Sequence, residues 1–98
     1  MTLEEFRQTL SASTPPDGVG DLLHSLWYDG KGDWEKAHNI AQDIDNTEGS
    51  WVHAYLHRKE GDEWNAGYWY RRAGKPFCND SLDTEWNQLV KHFLKHHQ

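Results

Sequence analysis

His53, His57 and Arg58 form the short segment of this sequence in which side chains able to hold a ligand or an ion crowd together. His53 and His57 stand four apart, so on a helix both imidazoles leave one face and can share a metal ion. The spacing alone does not complete a site. Ala54 follows His53 where a zinc-protease helix needs glutamate as general base, and no cysteine is near. A third ligand has to come from another helix, with His24, His38 and Asp45 as the options. We therefore expect no metal ion and no cofactor, and two histidines on a solvated face. With Lys59, Arg71, Arg72 and Lys75, Arg58 makes the one concentration of positive charge, and a guanidinium offers a planar fork of donors to a carboxylate or phosphate. Glu60, Asp62 and Glu63 are near enough in sequence to neutralise much of it. The candidate ligand- or partner-binding residues are thus His24, Trp51, His53, His57 and Arg58, with Trp51 as a wall.

Other constellations are weaker. Asp43, Asp45 and Glu48 have a calcium-like spacing, but Gly49 comes one place late and no glutamate closes the loop. Cys78 follows Pro76-Phe77 with no histidine beside it. His92, His96 and His97 repeat the histidine spacing on what reads as a solvated tail. No glycine-rich phosphate loop is present, and the serines stand mostly at helix caps. Lys plus Arg number 10 against 16 Asp plus Glu, a formal charge of -6 that would repel a phosphate backbone, so we expect no nucleic-acid partner. A lone cysteine allows no intrachain disulfide, which fits a reducing, cytoplasmic setting. Without a long apolar run or a basic leader, we expect no membrane span and no signal peptide.

The elements that must position these side chains are helices, because apolar residues recur at three- and four-residue steps and no alternating strand pattern is found. Branched aliphatics are few, but six Trp, four Tyr and three Phe supply the buried surface of an ordered domain. Residues 1–98 read as one all-α domain of about six helices: two hairpins with flanking N- and C-terminal helices. Thr2 and Glu5 form a capping box for the first helix, and Pro15-Pro16-Asp17-Gly18 makes a turn. Further helices are expected at about Val19–Asp29, Trp34–Asp45, Glu48–Glu60, Glu63–Ala73 and from Leu82 onward. A shift of 29 residues lays Gly32-Asp33 on Gly61-Asp62, Ala37 on Ala66 and His24 on His53 without a gap. Each unit is then a helix ended by Gly, a helix capped by Asp, and a small Ala where the two approach.

The segment Gly61-Asp62-Glu63-Trp64-Asn65-Ala66-Gly67-Tyr68-Trp69-Tyr70-Arg71-Arg72-Ala73 resembles tetratricopeptide and Sel1-like repeats, which place Ala, an aromatic and Ala where Ala66, Tyr70 and Ala73 stand. The period is shorter than in those repeats, and Ala41 and Ile44 replace the last two positions in the first unit. The stretch from Trp51 to Gly61, running into Tyr68 to Gly74, is also similar to a small uncharacterised bacterial family. A tetratricopeptide register implies that His53 and His57 are core residues. Helical periodicity instead places them opposite the apolar arc, in a solvent-facing ladder with His24 and Tyr28, and we follow the periodicity. The expected function is a protein or peptide interaction module with a groove between hairpins. The alternative is a small-molecule site for an anionic ligand, or a metal-assisted enzyme, on the His53, His57 and Arg58 face. We expect a monomer or homodimer whose last helix, through Leu82, Trp86, Leu89, Val90 and Phe93, seals the end of the hairpin pair.

Overall fold

The computed structural model describes residues 1–96, and within them every regular element is a helix. His97, part of the C-terminal histidine pattern, lies outside the described residues. α1 spans Leu3–Gln8 and runs into a 3-10 turn, Thr9–Ser11. α2 spans Asp21–Gly30, α3 Trp34–Gln42, α4 Thr47–Lys59, α5 Glu63–Ala73 and α6 Leu82–His96. The capping box is formed: Glu5 N–H donates to Thr2 Oγ1 at 3.1 Å and Thr2 N–H to Glu5 Oε1 at 2.8 Å. α3 stops at Gln42, short of the end its apolar stripe suggests. The cause is Asn46, whose Oδ1 accepts from Gly49 N–H at 2.7 Å and starts α4 immediately afterwards.

α2 packs on α3 and α4 on α5, and the two hairpins share the bond that closes their turns. Asp33 N–H donates to Tyr28 O at 2.8 Å in the first, and Asp62 N–H to His57 O at 2.9 Å in the second. Gly32 and Gly61 both sit at φ +87°, a left-handed conformation that suits glycine. Asp33 then caps α3 through Lys36 N–H at 3.1 Å, and Asp62 caps α5 through Asn65 N–H at 3.2 Å. The crossings correspond as well. Ser25 Oγ donates to Ala37 O at 2.7 Å, and 29 residues later Ala54 meets Ala66, both fully buried. The repeat is therefore present in the backbone as well as in the sequence.

α6 does not seal the end of the hairpin pair. It lies along α2 and α4, the first helices of both hairpins, with α1 beside it. Trp86 Nε1–H donates to Leu26 O at 3.0 Å, and Phe6 packs on the Trp86 ring at 5.9 Å. Leu89, Val90 and Phe93 are fully buried, each contributing roughly 1.5 to 3 kcal/mol by leaving water. The surface that two bare hairpins would offer a peptide is thus filled by the chain's own last helix. A second result of this arrangement is that α4 is enclosed by α2, α3, α5 and α6. Val52, His53, Ala54, Tyr55 and Leu56 are buried in succession, so α4 has no single inward arc.

Candidate functional site

At about 100° per residue, Trp51 and Arg58, seven apart, share one side of α4, while His53 and His57, four apart, share another, turned roughly 100° to 200° away. Because α4 is enclosed, each face meets different neighbours. The expected single face of His53, His57 and Arg58 is therefore divided into two sites.

On the first face stands Glu85 of α6, 1% exposed. Its carboxylate accepts from the Tyr70 hydroxyl at 2.7 and 2.8 Å, from Arg58 Nε at 3.2 Å and from Trp51 Nε1 at 3.3 Å. Both terminal nitrogens of Arg58 donate to the Asp80 carbonyl at 2.8 Å. Arg58 is engaged with the protein itself, which removes it as the anion receptor that the sequence suggested. Burial, and then the hydrogen bond and charge of Glu85, push the Tyr70 hydroxyl well above its ordinary pKa. Glu85 was legible as a charge lying between Leu82 and Leu89 on the apolar arc of α6, a placement that requires buried partners.

Outside this network, the Lys75–Asp80 loop and α6 bound a groove of about 690 Å³ with Trp51, Tyr70 and Glu85 at its base. Lys75 Nζ lies 4.2 Å from the centre of the Trp51 ring, and Phe77 packs against Tyr70 at 5.1 Å. Lys91 and Lys95 stand along its rim. None of these three lysines pairs with an acidic side chain among the described residues. Cys78 is in the wall, and burial raises its thiol pKa, so it is a protonated thiol at neutral pH rather than an activated nucleophile. Trp51 lines this groove and not a site shared with His53 and His57, where the sequence had placed it as a wall.

On the other side, His53 of α4 is only 6% exposed, which overturns the solvent-facing expectation for this residue. Its Nε2 is 2.8 Å from His38 Nε2 of α3, a single shared hydrogen bond. His57 stacks on His53 at 4.7 Å, and His38 is 5.2 Å from His57. Trp34 lies flat on His38 at 4.8 Å and 11°, and Trp69 lies on His53 at 4.0 Å and 23°. Burial, reinforced by His38 and His57, lowers the His53 pKa to about 3. His38 is lowered too, by burial and then by His57, with Glu60 opposing. His57 Nδ1 is 2.6 Å from Glu60 Oε1. Each of the three rings offers one nitrogen, and these lie within 4.8 Å of one another.

The third imidazole that the spacing left open is thus His38. His24 is half-buried on α2 and makes no side-chain hydrogen bond among the described residues, so the expected ladder of His24, Tyr28, His53 and His57 does not form. Nor can His53 add charge to a neighbouring anion at mildly acidic pH, since it stays neutral there. Compared with family models, curated proteins and solved structures, the chain matches none.

Proposed function

We propose that this chain is a binding module that holds an acidic, extended segment of a partner protein in the groove between Lys75–Asp80 and α6. One observation carries the reading. Three lysines without acidic partners line an aromatic-floored groove in a chain whose formal charge is -6. Along α6 the lining residues run from Glu85 through Gln88, Lys91 and His92 to Lys95 and His96. That stripe rises about 16 Å, the reach of roughly five extended residues, and favours a stretch of chain over a compact molecule. Asp80 and Glu85 also face the groove, but Glu85 is neutralised by Arg58 and its hydroxyl and indole donors. Trp51 and Phe77 supply apolar contact for residues between the acidic ones.

The test is selection from a random peptide library on the immobilised protein, followed by fluorescence anisotropy of the enriched sequences. Peptides rich in Asp or Glu, binding more weakly as salt is added, are expected. Lys91→Glu combined with Lys95→Glu should abolish binding while leaving the helical spectrum unchanged. Enriched peptides without acidic residues, or affinity untouched by the charge reversal, would overturn the reading. Complete displacement by an equal concentration of a small dicarboxylate would replace the peptide with a free anion.

A further inference from the structure

We propose that His38, His53 and His57 bind one divalent first-row transition ion, zinc before others, at the junction of the two hairpins. Their ring nitrogens already lie within 4.8 Å of one another, and the His38–His53 pair is at 2.8 Å. Three nitrogens around a tetrahedral zinc, each about 2.0 Å from the ion, are roughly 3.3 Å apart. Binding would ask the nitrogens, now within 4.8 Å, to draw in to that spacing and the His38–His53 pair to open from 2.8 Å. For both Nε2 atoms to ligate, the ring that now donates across the 2.8 Å contact moves its proton to its own Nδ1, so each imidazole binds as the neutral ring and no proton is lost.

The surroundings favour this use of the rings. Glu60 takes His57 Nδ1 at 2.6 Å, which commits that nitrogen and leaves Nε2 as the donor. A carboxylate behind a ligating histidine in this way fixes the tautomer and raises the basicity of the ligand. Trp34 and Trp69, flat against His38 and His53, keep those rings from turning away. The donor set has three imidazoles and no thiolate. It suits zinc, nickel, cobalt or copper, and it is a poor match for calcium or magnesium, which take oxygen. Glu60 and Asp62 flank His57 and draw cations towards it. Because His38 and His57 are only half-buried, water would reach an ion held there, as in sites that keep a position open rather than closed structural ones. The ligands come from α3 and α4, so the ion would join one hairpin to the other.

The experiment uses the full chain stripped with a chelator and titrated with Zn²⁺ by calorimetry and native mass spectrometry, then with Co²⁺ by visible absorption. One ion per chain and the intense bands of four-coordinate Co²⁺ are expected. His38→Gln, at a half-buried position, should remove binding, and Glu60→Gln should weaken it roughly 10- to 100-fold. His92→Gln with His96→Gln should leave it unchanged. That control is needed because those rings, 4.4 Å apart on α6, form a second histidine pair able to collect metal. In the unmutated chain, long-range ¹H–¹⁵N spectra should show three imidazoles shifting on zinc addition, which tests the site without any variant. A folded chain that takes up no Zn²⁺ at micromolar concentration, binding indifferent to His38→Gln, or binding lost only with the α6 pair, would each overturn the proposal. Peptide binding in the α6 groove does not enter any of these readouts, so the two proposals fail separately.

Discussion

A carboxylate as deeply buried as that of Glu85 is stable only while its donors stay in place, and removing them one at a time should give unequal losses. Arg58→Met leaves the buried charge without its counter-ion and should destabilise the fold by on the order of 3 kcal/mol. Tyr70→Phe removes one neutral donor and should cost about 1 to 2 kcal/mol. Urea unfolding measures both, and equal losses would mean that the ion pair is not the dominant part of the network. His53 has a different signature. Unfolded, it titrates near 6.5; folded, it does so at about 3. Between those values the unfolded chain binds the extra proton, so its contribution is complete above pH 6.5 and is lost as pH falls towards 3. The metal-free protein should lose on the order of 2 kcal/mol between pH 7.5 and pH 5 through this group. Urea curves of His53→Gln should lack that increment; an identical pH slope in both proteins would refute it. His53 shows where side-chain placement was hard to read. A wheel assumes one buried arc, and α4 is buried on several sides, so its polar positions turn inwards as well.

At the level of elements, the paired Gly-Asp turns invite a matched experiment. A Cβ at Gly32 or Gly61 would meet nothing within 4 Å, so Gly→Ala there probes the left-handed backbone alone. Each variant should cost about 1 to 2 kcal/mol, and the two should agree closely. Thermal melts compare them directly, and a large difference would mean that the turns are not equivalent. Ala66→Leu, at the crossing with Ala54, should overpack the second hairpin by about 1 to 3 kcal/mol. This level was the most legible in the sequence. Gly, Asp and the small residues act locally, so their spacing alone announces a helix end, a cap and a close approach. α5 has the limits expected of it, whereas α3 is cut short by Asn46, a competing cap that its apolar stripe does not register.

For the molecule as a whole, the decisive feature is that α6 covers the first helix of each hairpin. Its apolar stripe was plain in the sequence, but not the surface it would choose, since Trp86 reaches Leu26 across 60 residues and no local pattern encodes such a contact. Deleting residues 81–98 should expose the buried sides of α2 and α4 and produce aggregates on gel filtration. A soluble, monomeric and fully helical truncation would show that α6 is dispensable to the hairpins. The same feature bears on how the chain is made. On the ribosome, α1 to α5 leave the exit tunnel first, with Arg58 and Tyr70 still lacking the carboxylate that holds them and Leu26 still uncovered. Only when α6 has cleared the tunnel can the domain close, and until then the nascent chain presents a sticky apolar face to whatever chaperone stands at the exit.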